Sequence, residues 1–127
     1  MKYLFINSVY GKKSTGKIIA EQCHKLQSEG NECLVAYGRE AIMDPAVKCI
    51  RIGTTFDYHF HGLMTRCFDL HGFCSRYATK KFLKKVEQFE PDVIWLHNLH
   101  GYYINVELLF DWIKKHPKVK VKWTLHD

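Results

Sequence analysis

Histidine, asparagine and glycine crowd the stretch Pro91 to Tyr103, PDVIWLHNLHGYY. An imidazole titrates near neutral pH, so it can act as acid, base or hydrogen-bond donor. His97, Asn98, His100 and Gly101 directly follow Asp92 to Leu96, a short apolar run that reads as a buried strand. His126 and Asp127 end a second such run, Val119 to Leu125. A third, Tyr3 to Ile6, empties into Asn7, Ser8 and a glycine loop. In an open parallel sheet, ligands sit in the crevice beyond the carboxyl ends of the strands. Polar tips on separate strands therefore predict one shared crevice. There the side chains could donate to sugar hydroxyls or phosphate, or move a proton. The competing role is to hydrogen-bond loop backbone; the convergence of several tips favours binding. Tyr102 and Tyr103 could stack on a sugar ring or pack against the next helix. His59 and His61 read as ordinary, partly buried residues. Nothing fixes a third convergent ligand beside either histidine pair, so no metal site is expected.

The glycine loop is the second place where chemistry is legible. Gly11-Lys12-Lys13-Ser14-Thr15-Gly16-Lys17 lies between the first strand and the first helix, and Ser14 or Thr15 can cap that helix. Lys12, Lys13 and Lys17 crowd a helix amino terminus, where the macrodipole disfavours cations. An anion there would relieve the conflict, held by free backbone N–H groups. A solvated turn with its lysines in water is the other reading. The spacing satisfies most of the P-loop pattern G-x-x-x-x-G-K-[ST]. Ile18 stands where a hydroxyl should ligate magnesium, which argues strongly against a nucleoside triphosphatase. The dinucleotide pattern G-x-G-x-x-G is absent.

Alternating strands and helices must position these groups. Lys2 to Ile6 is expected as the first strand and Asn7 to Ser14 as a loop. Thr15 to Glu29 is expected as a helix stopped by Gly30. Asn31 to Tyr37 follows as a strand ended by Gly38, completing a β-α-β unit. Glu40 to Ala46 reads as a loop and Val47 to Ile52 as a short strand. Thr54 to Leu70 leans helical. Ser75 to Glu90 is a clearer helix, with Ala78, Phe82, Val86 and Phe89 on one face and Lys80, Lys81, Lys84 and Lys85 on another. Ile104 to Lys115 is a helix with Val106, Leu109, Phe110 and Ile113 inward, and Lys118 to Leu125 is the last strand. The pattern predicts an α/β, Rossmann-like domain with a mainly parallel sheet and helices on both faces.

The 127 residues suit one domain, and 46% hydrophobic residues suit one core. Nineteen Lys and Arg against 13 Asp and Glu leave a net charge of +6, which suits an anionic partner. No nucleic-acid motif accompanies that charge, so no nucleic acid is expected as partner. The lysine face of Ser75–Glu90 could touch anionic lipid at a membrane surface, although such a face is more often simply solvated. Five cysteines, with no C-x-x-C pair, read as small buried residues in a reducing cytoplasm. The apolar run after Met1 is too short for a signal peptide. The chain stops at Asp127 on a strand tip, which suggests the amino-terminal piece of something longer.

FINSVYGKKSTGKI, VAYGRE, PDVIWLHNLHGYYINVELLF and VKWTLHD together resemble the start of bacterial GT-B glycosyltransferases of the large retaining family 4. Within that family the chain is most similar to the colanic-acid and other exopolysaccharide enzymes. CFDLHGFCSRY, Cys67 to Tyr77, also resembles a segment of these proteins, and LHNLHGYYIN and WTLHD are the most specific parts. The resemblance implies that residues 1–127 are the amino-terminal, acceptor-side half of a two-domain transferase of hexosyl type. It implies a donor domain beyond this chain, and a chain inactive alone. The intact enzyme would move a sugar from a nucleotide-diphosphate sugar, UDP- or GDP-linked, to a glycan or lipid-linked acceptor in surface polysaccharide synthesis. It would need no metal or other cofactor, and would work in the cytoplasm or at the inner face of the membrane. The resemblance implies that Gly11, Ser14, Thr15, Gly16 and Lys17 approach the donor diphosphate. It gives His126 the contact with the donor sugar near its reacting carbon. His97, Asn98, His100, Gly101, Tyr102, Tyr103 and Asp127 are then expected on the acceptor and sugar side. The rival reading is a non-catalytic phosphate- or nucleotide-binding module using the same loop.

Overall fold

A computed structural model of the chain describes residues 1–11, 13–42, 44–52, 76–97, 99 and 104–124, with the backbone alone at Glu40, Arg76 and Tyr77. Five strands lie in one sheet: β1 (Lys2–Tyr10), β2 (Glu32–Ala41), β3 (Lys48–Arg51), β4 (Val93–Leu96) and β5 (Lys120–Trp123). Their order is β3-β2-β1-β4-β5, and every pairing is parallel. Helices α1 (Lys13–Ser28), α2 (Arg76–Phe89) and α3 (Val106–Lys115) alternate with the strands. The arrangement is the Rossmann-like α/β fold expected from the sequence. Among the described residues no helix is long and apolar enough to cross a membrane.

Side chains alternate across a strand, and here the alternation sorts the core into two layers. Leu4, Ile6, Leu34, Ala36, Ile94 and Leu96 join Phe82 and Val86 of α2 and Leu109 and Trp112 of α3. Phe5, Cys33 and Val35 point the other way, to Ile19 and Cys23 of α1. So α1 covers one face of the sheet, and α2 and α3 cover the other. Trp112 was not among the residues expected to face inward on α3, yet it is buried. Its indole N–H reaches Glu87 Oε1 at 3.3 Å, so its one polar atom is met at the edge of the core.

The element ends show what local pattern misses. β1 does not stop at Ile6: Asn7, Ser8, Val9 and Tyr10 continue it, all buried. The expected loop from Asn7 is corrected to a turn beginning at Gly11. β2 likewise runs past Gly38 to Ala41. Asn7 pairs with Tyr37 but Val9 pairs with Glu40. The chain therefore takes three steps on β2 for two on β1, a bulge absorbed around Gly38. α1 starts at Lys13, so Ser14 and Thr15 lie in its first turn, not at its cap. It ends as expected, with Gly30 N–H donating to Gln27 O at 3.0 Å and Asn31 N–H to Leu26 O at 3.0 Å. α3 starts two residues later than expected because Asn105 caps it, its Oδ1 accepting from Leu108 N–H at 3.0 Å. The segment Thr54 to Leu70, with His59, His61 and Cys67, lies outside the described residues, as does Cys74.

Ile94 is fully buried between β1 and β5, whereas Val121, beside it on β5, is 41% exposed. We predict that Ile94→Ala lowers unfolding free energy by about 2–5 kcal/mol. Val121→Ala should change it by about 0.5 kcal/mol or less. Urea denaturation compares the two, and equal losses would contradict the layering.

Candidate functional site

β1 sends the chain through α1 to β2 on one side, while β4 lies against β1 on the other. This is the switch point of the sheet, and in open α/β sheets ligands bind beyond the carboxyl ends of the strands at such a point. Ile6 pairs with Leu96, and the next residue, His97, donates its backbone N–H to Ile6 O at 3.0 Å. From β5, Thr124 N–H reaches Leu96 O at 2.9 Å and the Trp123 indole N–H reaches His97 O at 3.1 Å. The backbone at His97 is thus fixed by both neighbouring strands. Its ring is only 3% exposed with the whole residue. It stacks on Phe5 at 5.9 Å and 23° and on Trp95 at 5.9 Å and 19°. The imidazole therefore ends an aromatic row on the α1 face of the sheet. Asn98, His100, Gly101, Tyr102, Tyr103, His126 and Asp127 lie outside the described residues.

The glycine turn sits beside this point, at the end of β1. Gly11 has φ +72°, a conformation that an L side chain rarely adopts. A Cβ there would also lie 3.1 Å from Ile42 Cβ. Gly11 N–H donates to Gly16 O at 2.9 Å, which closes the turn. Gly16 is where the helix meets the strand: a Cβ would lie 3.0 Å from Gly11 N, 3.1 Å from Val9 Cγ2 and 3.3 Å from the Tyr10 carbonyl carbon. The two glycines thus serve a tight turn and a close helix–strand approach, two of the roles glycines play in dinucleotide-binding folds. Asn7 Nδ2 donates to Val9 O at 2.8 Å and reaches Thr15 Oγ1 at 3.4 Å, pinning the first turn of α1 to the strand. Ser14 and Lys17 are exposed, as is Lys13, which has φ +59°. Lys12 lies outside the described residues. The first turn of α1 carries no acidic side chain, and a helix amino terminus of that kind suits an anion.

Sequence reasoning missed a polar cluster on the rim of the same turn. Tyr10 Oη donates to Asp44 Oδ2 at 2.7 Å, and His24 Nε2 lies 2.8 Å from the same oxygen. The other carboxylate oxygen, Oδ1, accepts from Ala46 N–H at 3.0 Å. The Asp44–Pro45 pair was a readable turn signal, but its partners come from β1 and α1 and carry no local signature. The bond from Tyr10 holds the Asp44 carboxyl below the usual carboxylate range against the opposing effect of burial, with further help from His24 and Ala46. Burial, then Asp44, pushes the Tyr10 hydroxyl well up. Burial, then the Asp44 charge, pushes the Cys49 thiol up to about 11. Tyr10 and Cys49 are therefore uncharged at neutral pH, and Asp44 is the ionised member.

A carboxyl whose folded pKa is depressed stabilises the fold above its unfolded pKa, and that contribution is lost as pH falls through the folded value. Asp44→Asn should therefore be less stable than the parent at pH 7. The gap should narrow steadily below about pH 4, as followed by urea denaturation across pH. A gap independent of pH would remove the charge from the account. For the turn, Gly16→Ala forces a methyl against backbone, and we predict a loss of about 1–3 kcal/mol by the same assay. Ser14→Ala, at an exposed position, should stay within about 0.5 kcal/mol.

In comparisons with known proteins, no family model matches this chain and no curated protein matches it.

Proposed function

We propose that this chain is the acceptor-side half of a glycosyltransferase that moves a sugar from a nucleotide-diphosphate sugar to a glycan or lipid-linked acceptor. The observation that carries the reading is the junction at the switch point. A glycine turn opening a helix whose first turn carries no acidic side chain stands next to the tip of β4 on adjoining parallel strands. A diphosphate suits the first turn of α1, through its N–H groups and Lys17. A sugar beyond it would lie toward the tips of β4 and β5, where the sequence sets Asn98, His100 and His126. Catalysis would rest on holding donor and acceptor together and on stabilising the departing diphosphate. Resemblance to the family 4 enzymes supports the assignment of His126 to the donor sugar.

In the full-length gene product that this reading calls for, His126→Ala should lower turnover by about 100-fold or more, as for loss of a group that stabilises transition-state charge. His59→Ala, at a position given no role in this reading, should leave turnover within about twofold, less than the 0.5 kcal/mol typical of a neutral substitution. Equal effects would refute the role given to His126. If that product binds free nucleotides but transfers no sugar from any of a panel of nucleotide-sugars, the phosphate-binding module is the better description.

A further inference from the structure

The amino ends of β1, β2 and β3 meet the last turn of α2 at the end of the sheet opposite the switch point. Between them lies a half-open groove of about 480 Å³, within the size range of small-molecule sites. Lys2 and Glu32 are neighbours in register, as are Leu34 and Lys48, and all four line the groove with Ile50 and Lys85. Its apolar lining is the half-buried Ile50 and Phe89, over the buried Leu34. Three ammonium groups face one carboxylate, leaving two positive charges. Lys2 is anchored: its Nζ donates to Phe89 O at 3.1 Å and sits 5.5 Å from the Phe89 ring centre. Among the described residues, no carboxylate lies at ion-pair distance from Lys48 or Lys85, which line the groove.

We propose that this groove binds an organic phosphate. Lys48, Lys85 and the anchored Lys2 would hold the dianionic phosphate, and the body attached to it would cover Ile50 and Phe89. A dianion matches the two uncompensated charges, and the apolar lining favours a phosphate ester over the bare ion. The same chemistry is offered by a phospholipid headgroup and by a soluble phosphate ester. The site is separate from the turn at Gly16 and does not rest on the transferase reading.

Calorimetric titration of the full chain with phenyl phosphate tests it, with inorganic phosphate and phosphatidic acid vesicles as further arms. Phenyl phosphate should bind more tightly than inorganic phosphate and weaken as ionic strength rises. Lys48→Gln with Lys85→Gln should weaken it at least about tenfold, given the usual strength of charged hydrogen bonds. Both positions are exposed, so the double variant should fold. Glu32→Gln should tighten binding. Vesicle binding lost in the double variant identifies a lipid source; phenyl phosphate binding alone identifies a soluble one. The proposal is overturned if neither probe binds, if inorganic phosphate binds equally well, or if the double variant binds normally.

Discussion

β1 has no solvent face. Leu4 and Ile6 point into one core layer and Phe5 into the other, while β2 and β4 occupy both hydrogen-bonding edges. A strand in that position cannot shift by one residue without moving apolar side chains between layers. Everything at the carboxyl end inherits this rigidity. Asn7 and Ser8 are carried into the interior because the strand runs on past its apolar segment. Asn7 is accommodated by donating to Val9 O. α1 then closes on the strand end so tightly that a Cβ at Gly16 would press on backbone. The turn is therefore held by close contact on one side and by sheet hydrogen bonds on the other.

The layered α/β class was readable because buried parallel strands are short apolar runs and the helices show their inward residues every three to four positions. Boundaries were less readable. Asn7-Ser8 looks like a loop in sequence, yet pairing with β2 keeps it extended. Gly38 looks like a terminator, yet it lies at a bulge. The late start of α3 follows from the Asn105 cap, whose backbone N–H also reaches Thr79 Oγ1 of α2 at 2.9 Å; that tie joins residues far apart in the chain. Of the candidate site, Gly11 and Gly16 could be picked out because their spacing between strand and helix is a local signal. The packing of the His97 ring against Phe5 and Trp95 could not, since β1 and β4 become neighbours only in the folded sheet.

The Tyr10–Asp44–His24 cluster extends the same rigidity to the connection after β2. Ile42 N–H donates to Tyr10 O at 2.9 Å, so the β2–β3 connection leaves the sheet alongside the glycine turn. Asp44 then ties that connection to α1 through His24. One rim of the switch point is thus built from β1, α1 and the β2–β3 connection, bound by hydrogen bonds among three elements. The other rim is β4 with β5, where the Trp95 indole N–H reaches Thr124 Oγ1 at 2.8 Å and Lys122 Nζ lies 4.8 Å from the Trp95 ring centre. A ligand entering between them would meet two separately braced walls rather than one continuous loop.

The pairing of β1 with β4 also bears on how the chain emerges from the ribosome. β2 reaches β1 after a single helix, but Asp92, which bonds Lys2 N–H at 2.8 Å just before β4, lies 90 positions later. At a synthesis rate of about 5–20 residues per second, that interval is roughly 5–20 s. Throughout it, one hydrogen-bonding edge of an apolar strand waits without its partner. Such an edge is a template for pairing with other chains, so the nascent protein has a period of vulnerability to aggregation set by the sheet order alone.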